Sequence, residues 1–145
     1  MEGGFGLTNR HHLLRDSIAA VLRDTGATVS CESQIGDYRM DIVVSSIDGR
    51  HYWFDVGVTS EKPEKMHMEK VKHYSALAKE HDAEFHPLIF NNEAKPHAEC
   101  RKTLLKLSCD FDVPMPRLMA SIVSAIVNGN GLIVAKSESS LGHAA

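Results

Sequence analysis

The sequence predicts a single α/β domain with a mixed central sheet, an αβββαβ core followed by C-terminal helices. Three observations carry that expectation. Four segments repeat apolar residues at helical spacing, the segments between them alternate at a period of two, and no linker or internal repeat divides the 145 residues. A chain of this length can bury one real core.

The elements follow in order. Residues 1–7 read as a flexible lead-in, and Thr8 or Asn9 can cap a helix running to about Asp24. Leu13, Leu14, Ile18, Val21 and Leu22 share one face of it, and Gly26 ends it. Residues 27–33 form a first strand with Ala27, Val29 and Cys31 on one side. Two further strands, at about 38–46 and 50–58, flank Asp48-Gly49. Pro63 suits the first turn of a helix over about 63–81. Residues 84–91 read as a strand whose Pro87 marks an edge or a bulge. Helices from about Pro96 and about Pro116 complete the domain, the last closed by the Asn-Gly-Asn-Gly run at 128–131. The domain spans 8–135, and the polar residues 136–145 read as a frayed tail.

Composition narrows the function classes. A net charge of −3 does not mark a strongly basic nucleic-acid binder. Cys31, Cys100 and Cys109 have neither CxxC spacing nor an even count, which argues against a disulfide framework or zinc knuckle. Reduced, mostly buried thiols and an intracellular setting, nuclear or cytoplasmic, are expected. There is no apolar signal region, and no apolar run approaches the ~18 residues of a membrane span.

The hairpin raises the functional question. Asp41 and Asp55 each interrupt a hydrophobic strand, where aspartate is disfavoured and costly to bury unpaired. A two-residue loop would point them to opposite faces. A three-residue loop, Ile47-Asp48-Gly49 with Gly49 left-handed, pairs Ser46 with Arg50 and sets Asp41 across from Asp55. That register gathers Met40, Ile42, Val44, Tyr52, Phe54 and Val56 on a core face and leaves the other face half open. It also puts two carboxylates roughly 5 Å apart at Cβ, which is repulsive without a cation. Pairing with an arginine, Arg39 being the obvious local one, or with a strand-end amide is the plain alternative. Glu32 and the lysines of the next helix favour instead a hard cation such as Mg2+ or Mn2+. Lys70 lies on the flank of that helix's inward side, whereas Lys72 points nearly opposite. Either His11 or His12 can face the site, or His11 can contact phosphate with Arg10. None of the remaining histidines has metal-site spacing.

Taken together, Glu32, Arg39-Met40-Asp41-Ile42, Asp55-Val56-Gly57-Val58, the helix Lys70–Tyr74 and the strand Phe85–Leu88 resemble the PD-(D/E)XK nuclease superfamily. The closer likeness is to the restriction-like endonuclease domain of non-LTR retrotransposon and related reverse-transcriptase proteins, which also shows an Arg-His start to the first helix, here Arg10-His11, and a late Gly-Asn, here Gly129-Asn130. Met40 stands where the superfamily has proline, and Gly57 where it has lysine. In the retroelement-like group the lysine comes from the next helix, which fits Lys70, with Lys72 as the alternative.

The resemblance implies a metal-dependent DNA endonuclease. Asp41, Asp55, the Val56 carbonyl and Glu32 would hold Mg2+ or Mn2+, and Lys70 would act on the attacking water or the phosphate. Arg10, His11 and Arg39 would contact the DNA backbone. It also implies a reverse-transcriptase or DNA-binding domain in a parent protein and pairing of two copies, for which Ile122–Val127 is the candidate surface. A catalytically silent nucleic-acid- or protein-binding module of the same fold is the alternative, favoured by Gly57 and by Met40 in place of the proline.

Overall fold

The computed structural model describes the backbone of residues 2–140 and the side chains of 9–130. Its elements are α1 (Glu2–Arg23), β1 (Thr28–Ile35), β2 (Tyr38–Ser45), β3 (His51–Val58), α2 (Pro63–Glu80), β4 (Glu84–Phe90), α3 (Ala98–Asp110) and α4 (Met115–Ser140). The four strands form one sheet in the order β1-β2-β3-β4. The first two pairings are antiparallel, while β3 and β4 are parallel, joined by the α2 crossover. Pro87 falls on the edge strand, where a missing N–H costs least. No helix among the described residues is long and apolar enough to cross a membrane.

The sheet is covered on both faces. Ile42, Val44, Tyr52, Phe54, Val56, Leu88 and Phe90 meet Leu14 and Ile18 of α1, Leu104 and Leu107 of α3, and Leu118, Ile122 and Ile126 of α4. Trp53, Val43 and Phe85 meet Tyr74, Leu77 and Ala78 of α2 on the other face. The second face is therefore not half open at its centre: α2 closes it, and Trp53 is buried.

The hairpin adopts the three-residue loop. The Ser46 N–H donates to the Arg50 carbonyl at 2.8 Å, the Gly49 N–H donates to the Ser46 carbonyl at 3.0 Å, and Gly49 has φ +86°. Val44 pairs with Tyr52 and Ile42 with Phe54. Met40 departs from the expected core face and packs with Trp53 and Ala78 beneath α2. The cause is a break in strand parity at Asp41, described below.

The ends of the chain differ from expectation. Helix α1 already runs from Glu2, so Thr8 and Asn9 are interior residues and 2–7 is helix rather than lead-in. Helix α4 does not stop at the Asn-Gly-Asn-Gly run but continues to Ser140. A Cβ on Gly129 would lie 2.6 Å from Arg10 Cγ and 2.8 Å from Arg10 Cα, so this glycine lets α1 and α4 cross closely rather than ending a helix. Residues 136–140 thus belong to α4, and the remainder of the expected tail lies outside the described residues. Ile122, Ala125 and Ile126 are core, so Val123 and Val127 are the only exposed apolar residues of the proposed dimer surface. The expectation of mostly buried thiols also fails: Cys100 is buried, Cys31 is partly exposed and Cys109 is exposed.

Candidate functional site

Asp41 is the point at which the regular sheet gives way. The β1–β2 ladder skips the Glu32–Asp41 pair, and the β2–β3 ladder stops one pair short of Asp41–Asp55. In place of the next rung, Asp41 Oδ2 accepts the Val56 N–H at 2.8 Å, a donor that a continued ladder would give to the Met40 carbonyl. The strands are held together there by a side chain, and Met40 is turned to the α2 side. On the neighbouring strand Glu32 has φ +54°, a left-handed conformation that disfavours a residue with a Cβ. The distortion thus spans three strands at one level of the sheet.

The two aspartates lie where the helical layers meet. From α1, His11 Nε2 is 3.1 Å from Asp41 Oδ2. From α2, the Lys70 ammonium donates to Asp55 Oδ2 at 2.7 Å. Asp41 and Asp55 are 8 % and 7 % exposed, and with Arg10 they are the buried charged residues of the described chain. Asp55, Met66, Glu69, Lys70, His73 and Tyr74 line an open cleft of about 370 Å3, so Asp55 has a route to solvent past Lys70. Tyr38, on β2, packs edge-on to His73 and Tyr74 at ring-centre distances of 5.1 and 6.0 Å and extends this wall.

Burial and proximity drive the two carboxyls apart in acidity. Burial, reinforced by the hydrogen bond and charge of Asp41, pushes Asp55 up to about 7 against the opposing pull of Lys70. Burial also acts upward on Asp41, but hydrogen bonds from His11, from protonated Asp55 and from the Val56 N–H outweigh it and hold Asp41 well below the usual range. The His11 imidazole is raised by its hydrogen bond to Asp41, with burial opposing. Below about pH 7 the two aspartates therefore share close to one negative charge, and Asp55 ionises as the pH rises through that value. Two mutually repelling buried carboxyls are what a divalent cation would relieve, and a two-carboxylate set suits Mg2+, which keeps several waters.

Gly57 acquires a physical account. A Cβ there would lie 2.7 Å from Met66 Sδ, 3.1 Å from Ile89 Cδ1 and 3.6 Å from Lys70 Cε. The absent side chain leaves the space through which α2 approaches β3 and Lys70 reaches Asp55. Lys72 is exposed on the outer side of α2, as its wheel position predicts.

Other expected site residues fall elsewhere. Glu32 makes no described contact with either aspartate; its Oε1 accepts from Arg15 Nη1 at 2.6 Å. A Glu32 carboxylate oxygen and ring nitrogens of His11 and His12 lie within 4.8 Å of one another, the sole such three-residue grouping among the described residues. Arg10 is not a surface phosphate contact. It is buried, and its Nη1 donates to Asn92 Oδ1 at 2.8 Å and Asn130 Oδ1 at 3.0 Å, tying α1 to the segment after β4 and to α4. Burial lowers its pKa. Arg39 is exposed and makes no described hydrogen bond or ion pair, so it does not neutralise the aspartates. Val56 contributes its N–H to Asp41, a role different from the carbonyl ligand expected of it.

The sequence offers a strand-end amide as a partner for the aspartates without identifying Val56, and it does not reveal the Arg15–Glu32 pair. That pair was within reach: His11 and Arg15 are one helical turn apart and share a face. The chain matches no protein-family model and no curated protein.

Proposed function

We propose that the chain is a metal-dependent DNA endonuclease of the restriction-endonuclease-like class. The observation that carries the reading is the buried Asp41–Asp55 pair at the splayed strand end, with Lys70 Nζ 2.7 Å from Asp55 and a cleft leading in. Asp41 and Asp55 would hold Mg2+ or Mn2+, with the Val56 carbonyl as an added oxygen. When bound, the ion would supply an acidified water and positive charge at the phosphate. Lys70, at the cleft wall, orients the attacking water or pairs with the scissile phosphate. The Val56 N–H and His11 both engage Oδ2 of Asp41 and so fix its carboxylate. Exposed Arg39 and Lys72 are the candidates for backbone phosphate contacts, which position a duplex without reading sequence.

The rival reading, a silent binding module, rests on Gly57 and on Met40 in place of the superfamily proline. The Lys70 contact supports the enzyme over that rival, because the missing amine is supplied from α2. The test is nicking of supercoiled plasmid with Mg2+ or Mn2+ by the wild type and by Asp55→Ala. The wild type should nick, and the variant should be slower by about 100-fold or more. Equal, undetectable cleavage by both in either metal would sink the nuclease reading.

A further inference from the structure

Beside the aspartate pair lies a donor set of different chemistry. His11 and His12 are consecutive residues of α1, and Glu32 faces them from the distorted middle of β1. One ligand atom from each lies within 4.8 Å of the other two, and all three residues are partly buried yet reachable from solvent. Their ring centres are 5.8 Å apart. Two imidazoles and one carboxylate suit Zn2+ or Co2+ far better than Mg2+, which favours an all-oxygen shell.

Two further observations point the same way. First, His11 Nε2 is engaged by Asp41 at 3.1 Å, which leaves Nδ1 as the nitrogen free for an ion. A ligating imidazole whose other ring nitrogen is held by a carboxylate is the usual outer arrangement at histidine metal sites. Second, Glu32 keeps a left-handed backbone, φ +54°, in the middle of a strand, whereas the exposed acids with the same φ, Asp82 and Asp112, follow helix ends. Arg15 occupies one Glu32 oxygen at 2.6 Å and leaves the other available.

We propose that His11, His12 and Glu32 form a transition-metal site that takes one Zn2+-class ion, with Asp41 as the carboxylate that orients His11. This site does not rest on the nuclease reading, and its three ligands would leave a position for water. It also accounts for Glu32 standing apart from the aspartates: the glutamate serves the histidine site.

The experiment is metal titration of the full chain after EDTA treatment, with Zn2+ followed by calorimetry and Co2+ by its visible absorption. Wild type, His12→Ala, His12→Gln, Asp41→Asn and Asp55→Asn are compared, each checked for folding by circular dichroism. One ion per chain is expected. Either His12 variant should weaken binding by about 100-fold, and Asp41→Asn by about 10-fold, the scale for loss of an orienting carboxylate. Asp48→Asn, added as a control at an exposed acid of the hairpin loop, should leave the affinity within about threefold. Absence of saturable Zn2+ or Co2+ binding by the wild type overturns the proposal. So does binding that survives both His12 variants, or that disappears in Asp55→Asn alone, which would move the ion to the aspartate pair. Failure of plasmid nicking leaves this result untouched, because metal binding is read without DNA.

Discussion

Replacing Lys70 by methionine removes the cation that contacts Asp55 at 2.7 Å while keeping chain length and helix propensity. Breaking a buried ion pair by deleting one partner typically costs about 3–5 kcal/mol. The Lys70 side chain is 24 % exposed and that of Asp55 is 10 % exposed, so solvent screening brings the expected loss to about 2–3 kcal/mol at pH 8. The cost should depend on pH in a defined direction. A carboxyl raised to about 7 in the folded state binds a proton there that the unfolded chain has already released, so its contribution to stability falls as pH climbs from the ordinary carboxylate range through about 7. Lys70 opposes that rise; its removal extends the loss to higher pH. At pH 5 Asp55 is protonated with or without the lysine, and the variant should lose only the ~1 kcal/mol of an ordinary hydrogen bond. Urea unfolding of the EDTA-treated proteins at pH 5 and pH 8 reads the difference. A loss equal at both pH values, or larger at pH 5, would refute the assignment of a shifted Asp55 held by Lys70.

Two more outcomes follow from close packing. Gly129→Ala should lower stability by about 1–3 kcal/mol, even though alanine is the better helix former by about 1 kcal/mol, because the added methyl would meet the Arg10 backbone at 2.8 Å; a rise in melting temperature would contradict the close crossing of α1 and α4. Gly57→Ala should cost about 1 kcal/mol through the Met66 sulfur, and combining it with Met66→Ala should recover part of that loss, so that a double-mutant cycle shows coupling of about 0.5 kcal/mol or more and strict additivity argues against the contact.

The elements that depend on local pattern were legible in the sequence. Alternation, the Asp-Gly turn and Pro63 place β2, β3 and α2 to within a residue or two, and the three-residue loop follows from counting faces. The wheel position of Lys70 likewise translates into its contact with Asp55. What escaped the sequence depends on the interior. Gly129 and Asn130 look like a helix end because glycine and asparagine are common caps, yet here they serve a helix crossing that only the fold brings together. Arg10 looks like a surface cation until Asn92 and Asn130 are seen to receive it. Met40 follows the alternating pattern until Asp41 replaces a rung of the ladder with its own side chain, a substitution that no period-two reading contains. Glu32 shares its chemistry with the aspartates, but its left-handed backbone and the Arg15 contact carry it toward His11 and His12.

The clasp at Arg10 also bears on when the domain becomes complete. Its guanidinium joins residues 82 and 120 positions apart in sequence, and Gly129 must lie against the same side chain. During synthesis the hairpin and the α2 crossover can pair as they emerge, whereas α1, which packs on the sheet through Leu14 and Ile18, gains its larger contact with α4 only after α4 has been made. The first helix of the chain should accordingly be among the last to lock, and until then His11 is not fixed over Asp41. The site would thus be assembled late, by the closing of the two ends of the sequence upon each other, with the sheet already in place.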